Sequence, residues 1–283
     1  MKKQIVVSID PMNIKQNVID YAEELARIGH MELLIYSVQG MPLLSQADGA
    51  LTSPGIEYVP GVVEEVERFT TALFEKVKQR YPLTRLEQGL GFQTSSTIGK
   101  MEEMEGSESG SCMLVMPKTS DHGWWDNIVG TTETAVAAEV SCPVLFVPEG
   151  VEFKGITRIM YLADAQSLSD GRYKGFRFLK AFAEMHSAQV VVGFIFDPEN
   201  SGLNQTKLGE AMDAFKASLP LQFTHEYRFF LHSSFEEILQ MAGITHTDIV
   251  AFPFRESSVL ERFFDHEITR MLVLKADMPV LVF

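Results

Sequence analysis

The sequence predicts an α/β protein built from two tandem open parallel sheets of five strands, each with helices on both faces. The first observation behind this prediction is the stretch Met113–Val147, in which two short apolar runs flank a loop and a segment with helical spacing. The second is that this layout recurs at the end of the chain, where Pro253 and Pro279 repeat Pro117 and Pro143 at one constant offset. The third is the length of 283 residues, which suits two domains of about 140 residues each.

A domain boundary is predicted close to residue 150. The segment Glu149–Gly155 reads as a short linker, after which the chain restarts with an apolar strand. Asp164 then follows that strand in the place that Asp10 holds after the first strand of the chain. The predicted domains are therefore residues 1–150 and 151–283.

Apolar runs and helical spacing assign the elements of the first half in order. Lys3–Ile9 is predicted as a buried parallel strand that Asp10-Pro11 ends. Asn13 is the predicted N-cap of a helix whose apolar residues recur at helical spacing until Gly29 closes it. The further predictions are strands at Met31–Val38 and Leu83–Phe92, a loop or lid at Gln39–Pro60, a helix at Val62–Arg80 with Val63, Val66, Phe69, Leu73 and Val77 on one face, and a helix at Ser96–Gly106.

The second half repeats this order of strands and helices with shorter connections. Its strands are predicted at Arg158–Ala163, Gln189–Phe196, Gln222–Phe230, Asp248–Phe252 and the terminal run from Met278, and its helices at Leu168–Met185, Leu208–Leu219 and Ser234–Ala242.

The composition excludes several classes of protein. A hydrophobic content of 46% and a charged content of 22% are ordinary for a soluble globular chain. The net charge of −14 argues against nucleic acid, which is bound mainly through Lys and Arg, and against an anionic membrane surface. With neither a signal-peptide-like start nor an 18-residue apolar segment, the expected location is the cytoplasm.

The two cysteines and seven histidines do not indicate a metal site. Cys112 and Cys142 belong to no CxxC motif, and although their spacing alone does not exclude a disulfide, reduced thiols are the favoured interpretation. No histidine has a second ligand three or four positions away, so we expect no metal. The run Ser120-Asp121-His122 resembles a catalytic set only superficially, because adjacent side chains rarely adopt the geometry of a triad. We therefore expect no catalytic residues.

The arrangement resembles the universal stress protein family in its tandem form. The residues that carry the resemblance are the strand ending in Asp10, the pair Gly130-Thr131 before a helix, and the strand Ser141–Pro148 with the sequence SCPVLFVP. The resemblance covers almost the whole chain and implies the Rossmann-like, adenine nucleotide alpha hydrolase-like fold in each half.

Nucleotide-binding members of that family carry G-x-x-G-x9-G-[S/T] after the fourth strand, and this chain departs from that motif. The glycines let backbone amides approach phosphates at the start of a helix. Here Gly130 and Thr131 fit, whereas Pro117 lacks an amide donor and Ser120 carries a Cβ. In the second half the matching positions hold Pro253, Glu256, His266 and Glu267, none of which fits.

The resemblance nevertheless implies four candidate nucleotide-binding residues, Asp10, Val38, Gly130 and Thr131. Asp10 either binds adenine or ribose or, as we favour, caps the following turn or helix. Thr131 either helps to hold a phosphate or only caps its helix. The pair Trp124-Trp125 is equally consistent with an interface anchor and with packing on its own domain.

These observations lead to two functional expectations from different classes. The first is a non-enzymatic, cytoplasmic stress-response protein that binds a protein or a ligand, with a degenerate nucleotide site and no cofactor. The alternative is a sensor that binds ATP or AMP through a variant site in the first domain. We also expect the apolar strands Val144–Val147 and Val280–Phe283 to pair antiparallel in an intramolecular pseudo-dimer, because each otherwise leaves an exposed sheet edge. A homodimer or another protein partner remains open, and neither nucleic acid nor a membrane is expected.

Overall fold

The computed structural model describes residues 3–11, 13–39, 60–90, 93–107, 112–118, 136–137, 139–164, 176–196, 205–218, 223–230, 235–253 and 276–283 of the protein. The first half comprises β1 (Gln4–Ile9), α1 (Gln16–Gly29), β2 (Glu32–Gln39), α2 (Pro60–Arg80), β3 (Thr84–Leu90), α3 (Gln93–Ser107), β4 (Cys112–Lys118) and β5 (Val144–Pro148). The second half comprises β6 (Arg158–Asp164), α4 (Phe176–His186), β7 (Gln189–Phe196), α5 (Gln205–Ser218), β8 (Phe223–Phe230), α6 (Phe235–Ile244), β9 (Ile249–Phe252) and β10 (Val280–Val282).

The ten strands form one sheet in the order β3-β2-β1-β4-β5-β10-β9-β6-β7-β8. Within each half every neighbouring pair is parallel, which confirms the predicted α/β class with five parallel strands in each half. The halves meet where β5 and β10 pair antiparallel, with Leu281 opposite Leu145 and Val282 opposite Val144. The predicted pairing of these two strands is therefore confirmed, and the two sheets are continuous.

Helices cover both faces of this sheet because its strands are apolar on both sides. In β1 the side chains of Ile5 and Val7 belong to one core cluster with α1 and α4, whereas Val6 belongs to a second cluster with α3. All five residues of β5 are buried, as expected for a central parallel strand with helices above and below. None of the helices in the described part of the chain is both long and apolar enough to cross a membrane.

The linker after β5 is fixed by α1. The Asn17 side-chain amide donates to the carbonyls of Pro148 and Val151 at 2.9 and 3.0 Å, and Lys15 forms a 2.8 Å ion pair with Glu149. These contacts hold a turn in which Gly150 has a φ of 77°, a conformation that favours glycine. The linker is thus part of the folded structure.

Aromatic side chains pack the linker against helices from both halves. Phe153 lies edge-to-face with Tyr21 of α1, with ring centroids 4.9 Å apart. On its other side it faces His186 at the end of α4 at 6.3 Å, and His186 in turn contacts Phe182 at 4.8 Å. One residue of the linker therefore connects α1 with α4.

Two predictions of local structure are wrong. The N-cap of α1 is Lys15, which makes no side-chain capping bond, and not Asn13, whose N–H closes a 3.0 Å turn onto the Asp10 carbonyl before the helix can start. The predicted end of α1 at Gly29 is confirmed, and the residue that follows it in the left-handed conformation is His30. Phe69 is 58% exposed, and Thr70 occupies the buried face of α2 instead.

Most of the other predicted boundaries agree within two or three residues, the usual uncertainty for element ends. Residues 40–59 of the predicted loop Gln39–Pro60 and residues 168–175 of the predicted helix Leu168–Met185 lie outside the described residues. The division into domains at residue 150 stays a prediction.

Removal of Pro279–Phe283 should destabilise both halves, because β10 supplies a hydrogen-bonding partner to β5 as well as to β9. We expect faster hydrogen exchange of backbone amides in β4 and β5, and not only in β6 and β9. The control Ile244→Ala, at a side chain that is 61% exposed, should leave exchange in both halves unchanged. A truncated chain whose first half exchanges at the rate of the full chain would show that the halves do not depend on each other.

Replacement of His186 by Leu should make the chain less sensitive to acid. Burial lowers the pKa of His186 to about 4, and its Nε2 atom has no hydrogen-bond partner in the described part of the chain. Because the unfolded chain has the ordinary value of about 6.5, protons bind the unfolded state first, so stability falls as the pH drops from about 6.5 towards 4. When the pH falls from 7.5 to 5, the unfolding free energy of His186→Leu should therefore decrease by about 1 kcal/mol less than that of the parent, after allowance for solvent screening.

Urea unfolding at the two pH values measures this difference. His30→Asn, which removes an exposed histidine at a left-handed position that Asn tolerates, is the matched control and should follow the parent. If His186→Leu and the parent lose stability equally on acidification, the burial of His186 has no bearing on acid stability.

Candidate functional site

The candidate site lies at the carboxyl edge of the first half, where the strand order reverses. In open α/β sheets, ligands bind in the crevice at such a switch point, which here falls between β1 and β4. Asp10 directly follows β1, Val38 is the second-last residue of β2, and Pro117 lies near the end of β4. The topology therefore brings these three sequence-predicted positions to one edge.

The two described candidate residues differ in what they can offer a ligand. Asp10 is partly buried, and its backbone carbonyl accepts the 3.0 Å hydrogen bond from the Asn13 N–H. Val38 is 1% exposed, with its side chain in the apolar core between the sheet and α3. Only the backbone of Val38 can therefore meet a polar ligand, and the backbone carbonyl of Asp10 closes a turn.

The last two residues of β4 lie in the sheet. Pro117 is paired with Val147 and Lys118 with Pro148, so both residues continue the parallel ladder with β5. A strand holds its backbone groups in the plane of the sheet, whereas a phosphate loop turns successive N–H groups towards one anion. The first position of the expected motif is therefore inside the sheet, and as a proline it has no N–H to offer.

At this edge, Lys118 forms a buried hydrogen bond with the second half. It is only 4% exposed, and its ammonium group donates a hydrogen bond to the backbone carbonyl of Ala276. Ala276 belongs to the second half, lies just before β10 and is 1% exposed. A buried cation needs such a partner, because an unpaired charge is costly to remove from water.

This contact crosses the junction of the two halves. Lys118 is level with the end of β5, and β5 is the strand that pairs with β10. The lysine therefore bridges β5 and ties the crevice edge of the first half to the segment that leads into β10. This role of Lys118 cannot be predicted from the sequence, because a lysine after an apolar run is typical of a solvated strand end unless the second half is placed beside it.

Several predicted positions lie outside the described residues. They include the two remaining candidate residues, Gly130 and Thr131, together with Ser120, Asp121, His122, the pair Trp124-Trp125, Glu256, His266 and Glu267. In the second half, Asp164 is the last residue of β6 and Pro253 directly follows β9, which places both at the carboxyl edge of that half. The assignment of nucleotide contacts to any of these residues stays a prediction.

Ion pairs cross an acidic depression that is lined by residues of α1 and α2. The Glu23 side chain, 5% exposed, lies 2.7 Å from both Arg27 and Arg80, and Arg80 also contacts Asp20 at 2.7 Å. Burial alone would lower the pKa of Arg80, but hydrogen bonds and charges from Asp20 and Glu23 raise it above the ordinary value. These acids therefore stabilise the contact between α1 and α2.

The described part of the chain contains no group of side chains that could hold a metal ion and no disulfide. No group of three or more His, Cys, Asp or Glu side chains among those residues is arranged to hold a metal ion. Cys112 is partly buried and Cys142 is buried, and they form no disulfide with each other.

Comparison with known proteins finds similarity in structure and not in sequence. No protein-family model matches the chain, and no curated protein is similar to it in sequence. A universal stress protein from Archaeoglobus fulgidus DSM 4304 superposes with a TM-score of 0.68 at 10% identity, over 99% of this chain and 95% of that chain. A functionally unknown protein from Pseudomonas aeruginosa PAO1 gives 0.65 at 13% identity, over 100% and 92%.

The same arrangement occurs in the cytoplasmic domain of a prokaryotic cation chloride cotransporter, with a TM-score of 0.53 at 10% identity over 100% of this chain and 95% of that chain. At these identities the likeness concerns the fold. The strand order 3-2-1-4-5 occurs twice and the halves join at their fifth strands. The chain therefore has the fold of the tandem universal stress proteins.

Proposed function

We propose that the protein is a non-enzymatic stress-response protein that acts by binding, and that its own chain closes the nucleotide crevice of its first half. The observation that carries the proposal is the buried contact of Lys118 with the Ala276 carbonyl. It occupies the edge at which a nucleotide phosphate would need free donors and space.

Three physical effects support closure of the crevice. Pro117 removes one amide donor and fixes its φ near −65°, so the backbone cannot turn its N–H groups towards an anion there. The ladder with β5 holds both Pro117 and Lys118 in the sheet. The ammonium group of Lys118 is already hydrogen-bonded in a buried position, and its release to a phosphate would leave the Ala276 carbonyl without that donor.

The net charge favours another protein, or a second copy of the chain, as the binding partner over nucleic acid or a membrane. The chain carries a net charge of −14, and polyanions would be repelled at any distance within the screening length. The proposed action is recognition of such a partner in the cytoplasm.

The second candidate function is an ATP- or AMP-binding sensor. It is favoured by one observation, that Asp10 and Val38 lie at the same carboxyl edge of adjacent strands, with Ile9 opposite Ser37 in the register. A nucleotide held mainly through its adenosine would need these groups and little of the phosphate loop. The two candidates differ in whether the unmodified chain binds nucleotide at all.

Calorimetric titration of ATP and of AMP into the full chain separates the two functions. We expect no saturable heat for either nucleotide, and no nucleotide in a native mass spectrum of the purified protein. A stoichiometric signal from the unmodified chain would contradict the proposal and establish the sensor.

The double variant Pro117→Gly/Ser120→Gly should bind ATP more tightly than the parent. Glycine returns backbone freedom at both positions and an amide donor at 117, and one charge-assisted hydrogen bond corresponds to about a tenfold to hundredfold gain in affinity. Titration under the same conditions measures the gain. If the double variant binds no better than the parent, the lost loop does not limit the site.

Replacement of Lys118 by Met tests the structural role of the lysine. Methionine keeps an apolar stem and removes the ammonium group, so the Ala276 carbonyl loses that donor and unfolding should become easier by about 1–3 kcal/mol. Lys154→Met makes the same chemical change at an exposed position and should stay within about 0.5 kcal/mol of the parent. Equal stability of the two variants in urea would show that the Lys118 contact contributes nothing.

A further inference from the structure

A groove of about 370 Å³ lies at the opposite edge of the first half from the nucleotide crevice. Its floor is formed by the amino ends of β1 and β4, and one wall is formed by α4 of the second half. Its volume falls in the range of about 300–1,000 Å³ that is typical of small-molecule sites. Because its walls come from both halves, it exists only while β5 and β10 are paired.

The wall and floor of the groove are apolar. On α4 the residues Phe178, Ala181, Phe182 and Met185 follow the helical spacing of one face, and this face borders the groove. Met31 and Met113 line the side of the first half. Methionine side chains adapt to the shape of an apolar guest, and Met31, Phe178 and Met185 are only partly covered by the protein itself.

The charges at the groove are positive, although the chain as a whole is acidic. Lys3 and Arg177 are the charged residues that line it, and both are exposed. Neither forms an ion pair with any other part of the chain that the structure describes. Glu32, which accepts a 2.6 Å hydrogen bond from the groove residue Gln4, forms a 3.7 Å ion pair with Arg85 and is not one of the residues that line the groove.

The groove suits a thin apolar ligand. A helical turn with its side chains is about 10 Å across and about 5.4 Å long, so only one face of a partner helix could enter a groove of about 370 Å³. An extended alkyl chain is much thinner, and a single carboxylate at its end complements the positive charges of Lys3 and Arg177. The free carboxylate of a medium-length chain therefore fits both the shape and the charge.

We propose that this groove binds a medium-chain aliphatic carboxylate, with the alkyl tail along α4 and the carboxylate at Lys3 and Arg177. The apolar contacts supply most of the affinity, because removal of methylene groups from water is favourable in proportion to their area. The two exposed cations should make the groove bind an anionic ligand more tightly than a neutral one. The site does not depend on the proposed function, since it lies at the other edge of the sheet from Asp10 and Lys118.

Calorimetric titration of octanoate, decanoate and dodecanoate into the full chain, each below its micelle-forming concentration, tests the proposal. We expect one carboxylate per chain, and about a fourfold gain in affinity for each added methylene until the groove is full. Decan-1-ol, which lacks the charge, should bind about threefold to fivefold more weakly than decanoate.

Two variants and one matched control separate the alkyl site from the carboxylate site. Ala181→Phe, at an exposed position of α4, should fill the groove and abolish binding of both decanoate and decan-1-ol. Arg177→Gln should weaken decanoate about threefold to fivefold and leave decan-1-ol unchanged. Lys180→Gln removes a charge from the same helix at a residue outside the groove and should bind both like the parent.

Three results would overturn the proposal. A titration without saturable heat at every chain length would show that the groove takes no such ligand. Binding to Ala181→Phe equal to that of the parent would place the ligand elsewhere, and an equal effect of Arg177→Gln and Lys180→Gln would show that Arg177 does not receive the carboxylate. None of these results bears on the ATP titration, so the failure of either proposal is recognisable by itself.

Discussion

The antiparallel pairing of β5 with β10 is the interaction on which the rest of the molecule depends. Each of these strands ends a parallel half-sheet, and each would otherwise expose unpaired backbone groups along a buried, wholly apolar strand. Pairing satisfies both edges at once and makes the sheet continuous. It also brings α1 against α4 through Phe153, and it places Ala276 beside Lys118.

Because the pairing is antiparallel, the two halves point in opposite directions along the junction. The carboxyl edge of the first half therefore meets the segment that enters β10, where Lys118 donates to the Ala276 carbonyl. At the other edge, the amino ends of β1 and β4 meet α4, and the apolar groove opens between them. One geometric relation thus accounts both for the Lys118 contact and for the groove.

The fold was largely predictable because it follows from local signals that occur twice. Short apolar runs such as Val144–Val147, with prolines at repeated positions, predict buried parallel strands, and the need to cover two such edges predicts their pairing. Details that depend on neighbours in space were not predictable. Thr70 replaces Phe69 on the buried face of α2, and α1 starts at Gln16 because the chain first closes a turn at Asp10.

The site was predictable only in part, for the same physical reason. Asp10 and Val38 follow from the ends of neighbouring strands, but the role of Lys118 requires a carbonyl 158 positions away in the chain. The groove likewise combines Met31 with Met185, which no periodic pattern connects. The interactions between the two halves could therefore not be predicted from the sequence of either half alone.

The most direct test of the account is whether Leu145 and Leu281 face each other across the junction. Cysteines at these two positions, in a chain in which Cys112 and Cys142 are replaced by Ser, should form a disulfide that peptide mapping detects, because the two residues are directly opposed. The pair Leu145→Cys/Val280→Cys should not, because neighbouring side chains on a strand point to opposite faces. Equal cross-linking of the two pairs, or of neither, would contradict the pairing on which the Lys118–Ala276 contact and the groove both depend.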